Sequence, residues 1–365
     1  MVLGPPVIFL LPVVGLVWWF VIRPSTKRRS RAHLADAGVA RAAPVPRLPA
    51  LVVGPPVAEA VVEMIGVTKA YGRGGRRRLA LDDLDLAVPA GGVFGLLGQN
   101  GAGKTTALRC LMGLVRPTAG TCRILGADSG RDLHRVITRV GALIETPGLT
   151  PTLSGRHNLA LLARLDSIGA SGVGRALRDA GLEDRADDPV ATYSLGMRQR
   201  LGIAAALLRD PEVVILDEPA NGLDPAGIAE IRHLLVSLAR DGRTVIVSSH
   251  LLDEVEKTCD RLAVIDAGRC VAVGPIGDVL ATAGAGTLLV GVADLIAAQR
   301  VLADAGIEST VIDGGLRVRC APRDAAHVTE ILAAERLFVN ELRHDKPTLE
   351  AVFFGLTAPA TARQR

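Results

Sequence analysis

The sequence predicts an α/β fold in which buried strands end at one ligand-binding edge, followed by a small C-terminal α+β domain. Three observations carry this. GQNGAGKTT, Gly98 to Thr106, is a glycine-rich loop set between a short apolar strand, Val93 to Leu97, and a segment with helical apolar spacing, Ala107 to Leu114. Val213 to Leu216 is a continuous apolar run ending in Asp217 and Glu218, the pattern of a central parallel strand covered on both faces. Past Gly277 the pattern changes to short strands and helices that carry no catalytic cluster.

The chain opens on Met1 to Ile22, which holds no charged side chain and ends in Trp18 and Trp19 just before Arg23, Lys27, Arg28, Arg29 and Arg31. About 20 apolar residues cross a bilayer, so residues 1–22 are long enough for a membrane anchor with the rest of the chain on the cytoplasmic side. Pro5, Pro6 and Pro12 interrupt the segment, and a start placed too far upstream is the competing reading. Residues 23–60, basic and then rich in Ala and Pro, read as a linker. The basic cluster supplies much of the net charge of +4, so the body is nearly balanced and no nucleic-acid partner is expected. Cys110, Cys122, Cys259, Cys270 and Cys320 are scattered without a C-x-x-C pair and read as reduced thiols of a cytosolic domain.

Two strands, Val61 to Tyr71 and Leu79 to Val88, lead to the glycine-rich loop. That loop fits G-x-x-x-x-G-K-[ST], with Gly98, Gly103, Lys104 and Thr105 in register. Gly98, Gln99, Asn100, Gly101, Ala102 and Gly103 would turn their N–H groups onto a phosphate at a helix start. Lys104 would reach the β- and γ-phosphates, and Thr105, followed by Thr106, would bind Mg²⁺. Tyr71, shortly upstream, can stack on adenine. A strand is expected near Thr121 to Leu125, and another within Leu133 to Ile144. A helix from about Arg156 to Leu165 follows, broken at Gly169 to Gly174, and a second helix runs over Val173 to Ala180. This patch reads as an inserted helical subdomain.

Ser194 stands at a helix start, where a hydroxyl and free N–H groups make an anion site. Asp217 is placed to hold Mg²⁺, and Glu218 to orient and deprotonate an attacking water. After an amphipathic helix, Ile228 to Leu238, and a strand, Thr244 to Val247, His250 can contact the γ-phosphate or position the water.

In this order the motifs resemble the ATP-binding subunits of ABC transporters, over about Val61 to Gly274. The resemblance implies a P-loop ABC-type ATPase domain, residues 61–275, with a mixed sheet core, an antiparallel β subdomain and a helical subdomain. It makes Tyr71 the adenine-stacking aromatic and Gly98 to Thr106 the Walker A loop. Ser194, Leu195 and Gly196 become the signature that touches the γ-phosphate of ATP on the opposing protomer. Asp217 becomes the Walker B carboxylate, Glu218 the catalytic base, Asn221 to Asp224 the D-loop and His250 the switch histidine. Two departures stand out: Leu195 and Met197 replace a glycine and a glutamine of the signature, and Glu145 stands where most members have glutamine. Glutamate keeps an oxygen for Mg²⁺ but loses the amide donor. Both departures are similar to the branch of bacitracin- and lantibiotic-resistance exporters.

The implied cofactors are ATP and Mg²⁺. The implied partners are a second copy, a separate multi-span membrane permease and the membrane, with the ATPase at its cytoplasmic face. The alternative is a soluble ABC-type ATPase with a regulatory role outside transport; a GTPase is excluded by the lack of an N-K-x-D motif. Residues 276–358 read as an accessory α+β domain closed by a helix whose Leu349, Val352, Phe353 and Leu356 share one face. Truncation after Gly277 is expected to leave nucleotide binding intact.

Overall fold

Strands with apolar residues on both faces must be covered twice, and this chain supplies one cover from the β-rich segment before its glycine-rich loop and another from the helices after it. A computed structural model describes residues 51–52, 59–72, 77–145, 148–281, 287–320, 324–345 and 348–357. The anchor expected at residues 1–22 lies outside the described residues, as does most of the expected linker. Among the described residues no helix is long and apolar enough to cross a membrane.

The elements run β1 (Leu51–Val52), β2 (Ala60–Tyr71), β3 (Arg78–Pro89), β4 (Val93–Leu97) and α1 (Lys104–Leu111). Then come β5 (Ala119–Ile124), β6 (Ala127–Asp128), β7 (Val140–Leu143), and the helices α2 (Gly155–Leu165), α3 (Ala170–Asp179) and α4 (Leu195–Leu207). The chain continues through β8 (Val213–Asp217), α5 (Pro225–Arg240), β9 (Thr244–Ser249), α6 (Leu252–Thr258), β10 (Arg261–Asp266), β11 (Arg269–Pro275) and α7 (Ile276–Ala281). It closes with β12 (Thr287–Val292), α8 (Leu295–Asp304), β13 (Ser309–Ile312), β14 (Gly315–Arg319), α9 (Ala325–Ala334), β15 (Val339–Asp345) and α10 (Leu349–Thr357).

The main sheet has the order β1-β11-β10-β4-β9-β8-β7 and is parallel except at the β10–β11 pair. Its side chains alternate between two cores. Phe94, Leu96, Val213, Ile215 and Ile246 pack with the antiparallel sheet β3-β2-β5-β6 and helix α1. Val93, Leu97, Val214, Leu216, Val245 and Val247 pack with the helices on the other face, through Leu201, Ile203, Ile231 and Leu235. In-register pairing sets Leu97 beside Ser249 and Asp217 beside Ser248. The glycine-rich loop, the Asp217–Glu218 pair and His250 therefore leave three adjacent strands at the same edge, where an open α/β sheet takes its ligand.

The tail forms a third sheet, antiparallel and ordered β13-β14-β12-β15, with α8 and α9 packed on it around Val290, Leu302, Leu316, Val318 and Leu332. This is the β-α-β-β-α-β arrangement, with its own core.

Four features differ from the sequence expectation. Leu51 and Val52 fall in the expected linker, yet they pair parallel with Ala272 and Val273 at the edge of the main sheet. The strand expected within Leu133 to Ile144 is confined to the four residues of β7, and two short 3₁₀ turns, Leu133–Arg135 and Ile137–Arg139, precede it. The expected break at Gly169 to Gly174 is the start of α3; a Cβ on Gly172 would stand 2.4 Å from Ile168 Cγ2, so this glycine permits a close turn and does not end a helix. Last, α10 does not pack on the accessory core. Leu349, Val352 and Phe353 are buried in the same cluster as Val255, Leu262 and Val279. Burying each such side chain is worth about 1.5–3 kcal/mol, so a cut after Gly277 would strip several kcal/mol of apolar cover from the core on the helical face of the main sheet.

Candidate functional site

The glycine-rich loop holds its shape because two of its glycines cannot carry a side chain. Gly103 has φ +116°, a left-handed conformation, and a Cβ there would meet the Ala80 carbonyl at 2.6 Å. A Cβ on Gly98 would stand 2.4 Å from the Ile265 carbonyl. Gly103 precedes the first turn of α1, whose amide groups open toward the loop.

Lys104 is the decisive cation. Only 5 % of its side chain is exposed, so its charge has to be matched. The ammonium donates to the carbonyls of Gly98 at 2.7 Å and Gln99 at 3.4 Å and lies 3.1 Å from Glu218 Oε1. The other carboxylate oxygen of Glu218, Oε2, lies 2.7 Å from His250 Nδ1. A carboxylate only accepts, so Nδ1 carries the hydrogen in this contact. One carboxylate is thus shared between the cation of the loop and the histidine that follows β9, one oxygen to each.

Ser248, buried on β9, locks the neighbouring pair. Its hydroxyl donates to Asp217 Oδ1 and accepts from the Glu218 N–H at 2.9 Å. Glu218 needs this brace because its backbone sits at φ +48°, a strained conformation for a residue with a side chain. Sequence reading did not single out Ser248; its signal is its place in register beside Asp217.

Other expected site residues fall around this centre. Thr105 and Thr106 occupy the first turn of α1, which packs against β8. Ser194 N-caps α4, its hydroxyl accepting from Met197 N–H at 3.1 Å, and the tip of the helix is exposed. Leu195 and Gly196 meet the Asn221–Asp224 turn: a Cβ on Gly222 would lie 3.5 Å from Leu195 Cδ2, and one on Gly196 3.9 Å from Leu223 Cδ2. Tyr71 is exposed at the end of β2, with Lys69 Nζ 5.0 Å from its ring centre. Glu145 is exposed and bonds Arg109 of α1 through Oε1 at 2.9 Å, so its present partner is a guanidinium. Arg78, also missed in the sequence, pairs across the hairpin with Tyr71 and comes 3.9 Å from where a Cβ on Gly101 would stand. It is one arginine in a run of three, so the sequence marked a basic tip without marking the residue that approaches the loop.

The chain is 37% identical over 304 residues to the bacitracin transport ATP-binding protein of Enterococcus faecalis, covering 82% of this chain and 97% of that protein. The chain belongs to the ABC transporter ATP-binding family. The family model described as ABC transporter matches residues 81–221. A daunorubicin resistance ATP-binding protein of Streptomyces coeruleorubidus is 37% identical, over 82% of this chain and 97% of its own length. A solved ATP-binding cassette, described as a dimer in a post-hydrolysis state bound to ADP and Pi, superposes with a TM-score of 0.53. It is 25% identical and covers 59% of this chain and 98% of the cassette. The protein is an ABC ATPase: it binds and hydrolyses ATP.

Proposed function

We propose that this ABC ATPase powers export through a separate multi-span permease at the cytoplasmic face of the membrane. Two copies would close head to tail on two ATP molecules, with Ser194, Leu195 and Gly196 of each completing the site of the other. The sharing of Glu218 between Lys104 and His250 supports the hydrolytic part. Phosphate oxygens compete with Glu218 and with the Gly98 and Gln99 carbonyls for Lys104. Once they take the ammonium, Oε1 of Glu218 is free to accept a proton from the attacking water, while Oε2 stays fixed by His250. Glu218 is then the base, His250 its positioning partner and Lys104 the phosphate ligand; Tyr71 would stack on adenine, and Arg78 would add positive charge beside the loop.

The donor set fits Mg²⁺. Ser248 occupies only Oδ1 of Asp217, and no hydrogen bond to Oδ2 is found among the described residues. Thr105, Asp217 and Glu145 would hold the ion, Glu145 exchanging Arg109 for it. Among the described residues no group of three His, Cys, Asp or Glu side chains converges as a metal cage. Bound there, Mg²⁺ would neutralise charge on the phosphates.

Domain limits of 61–275 for the ATPase and 276–348 for the accessory domain, with α10 returned to the ATPase, are part of the same reading. The relatives named for bacitracin transport and daunorubicin resistance support a drug or peptide antibiotic as cargo. The test is purification of the chain with its membrane partner, reconstitution in vesicles and measurement of ATP-driven drug movement. Movement without a multi-span partner, or ATP hydrolysis that no partner alters, would count against the transport assignment.

A further inference from the structure

We propose that α10 is a strut that sets α6 and, through it, the histidine that holds the catalytic base, with Glu256 as the positioning residue. The proposal rests on the reading that Glu218 and His250 act together in hydrolysis. Helix α6 begins at Leu252, two residues after His250, and is held on three sides. Val255 and Cys259, one turn apart, lie directly on β4: a Cβ on Gly95 would meet Val255 Cγ1 at 2.9 Å and Cys259 Sγ at 3.0 Å. This is the strand that feeds the phosphate loop. Glu254 faces α5 and pairs with Arg232 at 3.6 Å, but its Oε2 makes no hydrogen bond. Glu256 faces the tail, and its Oε2 accepts from the N–H of Leu349, the first residue of α10, at 3.1 Å.

The contact with the tail is the best made of the two polar ones. A carboxylate at a helix start satisfies an orphan donor and meets the positive end of the helix. Behind it, Leu349, Val352 and Phe353 bury one face of α10 in the core that contains Val255 and Cys259. A narrow cavity of about 30 Å³ lies between α6, α5 and the turn at Glu218 to Asn221, lined from α6 by Glu254, Val255 and Cys259. So α6 has room on its catalytic side and firm support on its tail side. Release of α10 would let α6 tilt into that space and carry His250 off its 2.7 Å contact with Glu218.

The experiment uses the full chain, comparing wild type, Glu256→Ala and Glu256→Gln by amide hydrogen exchange and by ATPase kinetics. Glu256→Ala should speed exchange in both α10 and α6 and lower kcat about threefold to tenfold, with KM for ATP within about twofold of wild type. Glu256→Gln, which keeps an acceptor oxygen, should recover most of both losses. Unchanged exchange in α6 overturns the proposal, as does faster exchange in α6 with wild-type kcat, or a fall confined to KM. Because exchange is read without turnover, failure of the strut is distinct from failure of the catalytic reading, which a fully active Glu218→Gln would reveal.

Discussion

The catalytic edge and the accessory sheet use charge in opposite ways. At the catalytic edge Lys104 is buried at 5 % exposure and Glu218 half-buried at 20 %, and each has partners from segments that follow different strands. In the accessory sheet the Arg319–Glu308 pair spans 3.2 Å with side chains 66 % and 76 % exposed, and Arg343 pairs with Glu341 in similar exposure. Buried charges are costly unless they are matched, so a fold keeps them where chemistry requires them; exposed pairs cost and contribute little. The same residue types therefore mark a site in one region and a solvated face in the other.

Removing the buried cation is the strongest way to break this contrast. Lys104→Ala should cut ATP hydrolysis by about 10³-fold, the scale of losing a preorganised charge at a transferring phosphate, and steady-state phosphate release will show it. Next in size is the tail helix. Phe353→Ala should cost about 3–5 kcal/mol in a chemical denaturation curve, and the loss should register in the ATPase core because Phe353 is buried there. A pH-dependent effect belongs to the shielded thiols. Burial pushes Cys122, Cys259 and Cys270 up to about 12. A folded-state value raised above the unfolded value of about 8.5 means that this stability is intact below that pH and is lost as pH rises toward 12. Denaturation midpoints should thus be flat between about pH 7 and 8 on account of these groups and fall by pH 10 to 11. Smallest of all, Arg319→Ala should change stability by less than about 1 kcal/mol and leave hydrolysis at the wild-type rate.

What the sequence made legible follows from how each feature is encoded. The phosphate loop, the cap at Ser194 and the strand ending at Asp217 are local patterns, because glycine spacing, a serine before a helix and four apolar residues in a row are each fixed by their own neighbours. The pairing of Leu51 with Ala272 is two residues long and leaves no period to detect. The return of α10 is invisible for another reason: its apolar face announces burial without naming the surface that buries it. Glu145 shows the same limit at one residue. Its identity was plain, but its partner Arg109 stands 36 positions away on another element, and only the fold brings them to 2.9 Å. Ser248 and Arg78 became visible through strand register, which no single strand can state.

The central claim is that Glu218, held between Lys104 and His250, removes the proton from the attacking water. Single-turnover hydrolysis by Glu218→Gln, measured alongside ATP binding, tests it most directly. The account predicts ATP binding at wild-type strength and a hydrolysis rate lowered by about 10²- to 10⁴-fold. Hydrolysis by Glu218→Gln at the wild-type rate would contradict it.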